Sequence, residues 1–192
     1  MMVDLASVFE QLLAVLDRFE IRYCVGGSVA SSSYGMPRQT NDIDILADFS
    51  GVDLGELSRV LSPDFYADSE SIREAVRSGR PFNVIHLKGA FKFDFFPAVP
   101  GREFEQSELT RRKQIVSRVP GLEGIEFAVV TAEDALLAKL LWFRQGGEIS
   151  ERQWHDIRGI LKVQADRLDL PYLRSWAKRL GISDLLERSL AN

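Results

Sequence analysis

One cysteine, Cys24, stands in 192 residues, so no disulfide can form within the chain. That fits a reducing compartment, and it leaves folding without a covalent staple. No apolar run approaches the roughly 20 residues that a membrane helix needs. The first residues carry neither a basic n-region nor an apolar h-region, which reads against a signal peptide; the expectation is a soluble, cytoplasmic chain. Basic excess is missing as well: 24 Lys and Arg against 28 Asp and Glu give a formal charge of −4. This argues against a dedicated nucleic-acid coat but leaves room for a local basic patch. The two histidines, His86 and His155, are far apart and have no partner cysteines, so a zinc site is not expected. The lysine-containing loop of P-loop enzymes is also lacking. Repeats and low-complexity segments are absent. With 45% hydrophobic residues, the chain can still build one sizeable core, or a core plus a small helical subdomain.

Against these absences stands one dense segment. It reads Tyr23-Cys24-Val25-Gly26-Gly27-Ser28, then a stretch of small residues, then Gly35-Met36-Pro37-Arg38-Gln39-Thr40, and finally Asp42-Ile43-Asp44-Ile45-Leu46 after residue 41. A short β run enters a glycine pair, a small-residue helix follows, and a second β run opens on two carboxylates. Residues i and i+2 of a strand project from one face, so Asp42 and Asp44 point the same way. Like charges held that close call for a counterion, and oxygen donors favour a hard cation such as Mg²⁺. The glycine pair at a helix N-terminus offers backbone N–H groups as an anion cradle. Carboxylates for a metal beside a cradle for phosphate point to phosphoryl or nucleotidyl transfer.

These residues resemble the signature of the polymerase-beta-type nucleotidyltransferase superfamily: Gly-Gly or Gly-Ser, a spacer, then Asp-x-Asp opening a strand. The longer spacer with Gly35, Arg38 and Thr40 is similar to the toxin-type and tRNA-nucleotidyltransferase-like branches, the former including abortive-infection and type IV toxin–antitoxin members. The resemblance implies an α/β fold, a small mixed β-sheet flanked by helices, followed by an all-helical C-terminal subdomain. It implies a third carboxylate on a later strand, for which Asp94 is the first candidate and Asp68 and Glu70 the runners-up. Asp42, Asp44 and Asp94 would then be the catalytic and metal-binding set, holding Mg²⁺ or Mn²⁺ as two ions. Gly26, Gly27, Ser28, Arg38, Lys139 and Asp156 would form the nucleotide-binding set. An NTP would be the substrate, and the acceptor a tRNA 3′ end first, a protein second and a small molecule third. A toxin of this kind would have a cognate antitoxin as partner. The alternative is a catalytically inactive nucleotidyltransferase-like module for nucleotide binding or protein interaction.

The rest of the pattern supplies the frame. Leu5, Val8, Phe9, Leu12, Leu13 and Leu16 make one apolar stripe on an opening helix. Strands are expected at 23–25, 43–47, 82–87, 91–96, 114–119 and 125–130, with a hairpin turn at Lys88-Gly89-Ala90. Helices are expected at 53–61, 69–77 and 103–110. From Thr131 onward the chain reads as helical, with capping boxes at Thr131 and at Ser150-Glu151-Arg152-Gln153, a Pro171 first turn and a Gly181 break. The expected division is a catalytic domain over 1–130 and a helical subdomain over 131–192. Lys139 is ringed by Ala135, Leu136, Trp142 and Phe143 at helical spacing, so its ammonium needs an anion once buried. Arg111, Arg112, Lys113 and Arg118 make a basic cluster, read first as a solvated face. The aromatics of the last helices read as core.

Overall fold

A computed structural model describes residues 4–40 and 42–191. Helix α1 (Leu5–Arg18) buries its apolar stripe, and Asp4 caps it by accepting the Ser7 N–H. Strand β1 (Arg22–Val25) feeds α2 (Gly27–Tyr34), and β2 (Asp42–Asp48) carries the paired aspartates. Next come α3 (Leu54–Leu61), β3 (Phe65–Tyr66) and α4 (Ser69–Ser78), then the hairpin strands β4 (Phe82–His86) and β5 (Lys92–Pro97). Helix α5 (Glu103–Arg111) and strands β6 (Lys113–Val116) and β7 (Glu126–Val129) follow. The remainder is helical: α6 (Ala132–Gln145), α7 (Glu151–Gln164), a 3₁₀ turn at Ala165–Arg167, α8 (Leu170–Leu180) and α9 (Ser183–Leu190).

The strands form one mixed seven-stranded sheet in the order β3-β4-β5-β2-β1-β7-β6. Strand β2 lies centrally, parallel to β5 and antiparallel to β1, while β1 runs parallel to β7. Alternation explains the placement. Ile43 and Ile45 are buried on one face of β2, which leaves Asp42 and Asp44 to the other. The Phe9 ring meets Phe93 at 6.0 Å and Phe127 at 5.3 Å, so α1 clamps β5 and β7 together. Helix α2 packs on both α6 and α7. A Cβ on Gly35 would lie 2.8 Å from the backbone nitrogen of Ile160, so this glycine permits the close approach of the α2 end to α7.

The expected elements appear, with three differences. Strand β3 is two residues long and shows no alternation to read; it exists because Phe65 and Tyr66 pair with the end of β4. The strand expected at 114–119 ends at Val116, because the chain turns through Pro120 and Gly121 and tucks Val119 and Leu122 into the core. The capping box at Ser150 is only half made. Ser150 accepts the Gln153 N–H, but Gln153 Oε1 is buried and has no partner. Among the described residues no helix is long and apolar enough to cross a membrane.

Candidate active site

Strand pairing builds the acidic face. Asp44 stands opposite Asp94 in the parallel β2–β5 ladder, and Asp42 stands opposite Lys92. Paired residues of neighbouring strands share a face, so the three carboxylates expected together do lie on one side of the sheet. Lys92 sits among them, 2.9 Å from Asp94 and 3.8 Å from Asp42. The Asp94 hydrogen bond raises the Lys92 pKa against the opposing effect of burial. Asn83, across the hairpin, also donates to Asp94. Burial pushes the Asp44 carboxyl up, and the charge of Asp94 adds to this; Lys139 and the Ser28 N–H oppose it. Asp42 is mostly open to solvent, its side chain 58% exposed.

The donor set suits a hard divalent cation, since every candidate ligand is a carboxylate oxygen. The Lys92 ammonium between Asp94 and Asp42 shows that this face takes a cation, here one supplied by the chain. Among the described residues no three His, Cys, Asp or Glu side chains already converge into a metal-holding group.

The glycine pair abuts this face. Gly26 donates its N–H to the Asp44 carbonyl at 2.9 Å, and Ser28 donates its backbone N–H to the Asp44 carboxylate. Gly27 has φ +52°, and a Cβ there would fall 1.7 Å from Asp44 Oδ2. Only glycine fits both the conformation and the space. Gly26 is the N-cap of α2, without any side-chain capping bond, so Ser28 is not the cap. Its hydroxyl instead accepts from Arg38 at 2.5 Å.

Behind α2 lies a charged hub. Asp156, its side chain 5% exposed, receives Lys139 at 2.8 Å and Arg38 at 3.3 Å. Ser31 donates to the same carboxylate at 3.4 Å. Burial works against the ionised Asp156, but hydrogen bonds from Arg38 and Lys139 outweigh it and hold the carboxyl below its ordinary range. The anion that a buried Lys139 requires is therefore present in the chain. Arg38 braces the loop before β2 by tying Ser28 to Asp156.

Asp44, Gly26, Gly27, Ser28 and Lys139 open onto a cleft of about 620 Å³ between the sheet, α5 and α6. Phe96, Phe104 and Trp142 line it, and Trp142 is 51% exposed. This aromatic departs from the core role expected of it. Glu105, Glu108 and Gln153 also line the cleft, and none was singled out as a site residue from the sequence. A Glu on a polar helix face carries no local signal, and Gln153 was absorbed by its capping-box position. The runners-up are used elsewhere: Asp68 caps α4 through the Ser71 N–H, and Glu70 pairs with Arg73. Part of the basic cluster is also used internally, since Arg111 pairs with Glu133 and lies over the Tyr172 ring. His86 is buried and accepts the Gly89 N–H, while His155 is exposed.

No family model and no curated protein matches the sequence. Solved structures do match. An antigenic nucleotidyltransferase-like protein from Paracoccidioides brasiliensis aligns with TM-score 0.57 and 18% identity, over 98% of this chain and 92% of that one. The antibiotic-resistance factor ANT(2'')-Ia aligns with TM-score 0.53 and 15% identity over 97% of each chain. ANT(2'')-Ia in complex with adenylyl-2''-tobramycin aligns with TM-score 0.55 and 15% identity, over 91% of this chain and 97% of that one. At such identities the likeness establishes the fold.

Proposed function

We propose that this chain, which has the nucleotidyltransferase fold, moves an NMP from an NTP to an acceptor hydroxyl in a metal-dependent reaction. The observation that carries the proposal is the register of Asp44 against Asp94 with the start of α2 resting on Asp44. Asp42, Asp44 and Asp94 would hold the divalent cation, Mg²⁺ or Mn²⁺, in competition with Lys92. Two such ions, as the family resemblance implies, would neutralise charge on the α-phosphate and lower the pKa of the acceptor hydroxyl. The chain's own residues position the reactants. The start of α2 (Gly26, Gly27 and Ser28) lines the cleft without a side-chain cap and suits the triphosphate tail once metal draws Asp44 away from the Ser28 N–H, and Lys139, which lines the same cleft, supplies positive charge. Arg38 and Asp156 keep that lysine and the Ser28 loop in place. The acceptor oxygen bonds to the α-phosphorus, the bond to the bridging oxygen breaks, and pyrophosphate leaves with the electron pair. The hydroxyl proton passes to a carboxylate or to water. Positioning and electrostatics carry such transfers.

In this proposal residues 1–130 carry the carboxylates, and residues 131–192 supply Lys139 and Asp156. A tRNA 3′ end and a toxin role with an antitoxin follow from the toxin-type resemblance, as does a cytoplasmic location. Glu105 and Glu108, which line the cleft, weigh against a polyanionic RNA and toward a small acceptor. ANT(2'')-Ia, seen with adenylyl-2''-tobramycin, is a fold relative with such an acceptor. The inactive-module reading has one observation in its favour, Lys92 among the carboxylates. The test is transfer of label from each α-³²P-NTP to RNA, protein and small-molecule fractions, with Mg²⁺ and with EDTA. Label that needs metal and disappears in the Asp42→Ala/Asp44→Ala double variant supports the enzyme. Nucleotide binding without transfer to any fraction supports the inactive module.

A further inference from the structure

A second cavity, larger than the cleft, is a groove of about 840 Å³ between α7, α9 and the loop that joins α6 to α7. Trp154 and Leu161 of α7 line it, as do Met36 and Ile149 from loops. Ile149 is 84% exposed and Met36 54%. Ile149 follows Gly147 and Glu148, which have φ +74° and +62°. A left-handed glutamate persists only where its surroundings fix it, and Arg144 at 3.0 Å and Arg188 at 3.6 Å hold the Glu148 carboxylate. His155, Arg158 and Lys162 also line the groove, and Arg152 continues their row along one exposed face of α7. Among the described residues none of these four has an ion pair. Of the acids lining the groove, Glu148 is already taken, and Glu151 lies in the first turn of α7, where the helix N-terminus favours its charge. In a chain of formal charge −4, this groove presents uncompensated positive charge.

Apolar walls beside unpaired cations fit an occupant with apolar side chains on one flank and carboxylates on the other. The described residues that line the groove lie on helices and loops, so an extended chain would find no strand edge to pair with, whereas a helix satisfies its own backbone. A nucleic acid would match the cations but not the apolar walls. A bilayer surface is flat and the groove is concave. A helix lying along the 14 residues of α7 would run for about 21 Å, or four turns.

We propose that this groove docks a partner protein through an acidic amphipathic helix. The apolar side chains of that helix enter between Met36, Ile149, Trp154 and Leu161, and its carboxylates meet Arg158 and Lys162. The groove borders the candidate site. Met36 stands just before Arg38, and a Cβ on Gly159 would lie 3.2 Å from the Met36 backbone nitrogen. The docked helix therefore rests on the loop from which Arg38 reaches Asp156 and Ser28. Docking is independent of the nucleotidyl-transfer reading above.

The test uses the full chain and fluorescein-labelled helical peptides of about four turns, followed by anisotropy. One peptide carries leucines on one face and glutamates on the other. A second has lysine for each glutamate, and a third keeps the glutamates but scrambles the leucines. Total tRNA and phosphatidylserine vesicles compete alongside, and light scattering gives the oligomeric state. The Glu peptide should bind with Kd below about 100 μM, and the Lys and scrambled peptides at least ~10-fold more weakly. Arg158→Glu/Lys162→Glu changes two exposed side chains, so circular dichroism should show the fold intact. It should weaken the Glu peptide ~10-fold or more and strengthen the Lys peptide, since two pairs change sign together. Ile149→Asp should weaken the Glu peptide without helping the Lys peptide. Equal binding of the Glu and Lys peptides, or of the ordered and scrambled ones, overturns the proposal, as does an affinity unmoved by the charge reversal. Absence of peptide binding overturns it too. Displacement of the peptide by tRNA or by vesicles at lower concentration than by unlabelled Glu peptide would assign the groove to that ligand instead. A dimer that the charge reversal dissociates would assign it to a second copy of the chain.

Discussion

Replacing Asp156 by asparagine keeps the shape of the hub and removes the charge that Arg38 and Lys139 share. Lys139 is 9% exposed and the Asp156 side chain 5%, so the lysine is left with an uncompensated charge away from water. Breaking a buried pair by removing one partner costs about 3–5 kcal/mol. The Arg38 side chain, 23% exposed, recovers part of its hydration, which places the expected loss near the lower end, about 3 kcal/mol. For a chain of this size that corresponds to a melting temperature lower by roughly 6–12 °C. Urea unfolding of wild type, Asp156→Asn, Lys139→Met and the double variant measures the loss, and the cycle isolates the pair. The acid dependence provides a second check. Asp156 is held below its ordinary range, so its contribution is present above the unfolded carboxylate pKa of about 3.9 and is lost as pH falls through the folded value. Wild type and Asp156→Asn should therefore converge in stability below about pH 4. A loss under about 1 kcal/mol at pH 7, or a difference that persists in acid, would refute the view of Asp156 as the neutralising centre of this region.

The other residues of the site give equally direct expectations. Gly27→Ala places a methyl against Asp44 Oδ2 at positive φ, so it should cost ~2 kcal/mol or more and weaken NTP-induced stabilisation; calorimetry with and without Mg²⁺ and NTP tests both. Asp44→Asn should raise apo stability at pH 7 while abolishing metal-dependent label transfer. Its raised carboxyl pKa means that the wild-type fold loses stability as pH climbs through the carboxylate range, and the variant should lose that slope. Lys92→Met removes the cation between Asp94 and Asp42, a partly exposed pair worth up to about 1 kcal/mol, so Mn²⁺ affinity by paramagnetic resonance should rise about 2- to 5-fold. Tyr172→Phe deletes a 2.5 Å hydrogen bond to buried Asp134 and should cost about 1.5–3 kcal/mol in urea unfolding.

What the sequence made legible was local. The apolar stripe of α1, the alternation of β2 and the Gly-Gly-Ser entry into α2 each depend on neighbours along the chain, and each took the expected form. The sheet order was not readable, because nothing in the residues of β7 announces that it joins β1 rather than β2. Asp94 could be chosen as a candidate, yet its exact opposition to Asp44 depends on register, a property of two strands together. The demand of Lys139 for an anion was readable from its apolar ring, but the anion's identity was not, since Asp156 comes from the next helix. Glu108 carries no local signal on its polar helix face, and the unpartnered Oε1 of Gln153 is hidden behind its capping-box position, since a missing partner has no sequence pattern.

The order in which these groups are made has its own consequence. On a ribosome Asp42 and Asp44 emerge first, and Lys139, with the Asp156 that pairs with it, follows roughly a hundred residues later, on the order of ten seconds at ordinary synthesis rates. Strand β1 must also wait for β7, its parallel neighbour. During that interval the nascent chain has its acidic strand but not the helices that order Arg38 and Ser28. On the proposed function, the nascent chain gains its nucleotide site only once α6 and α7 have emerged.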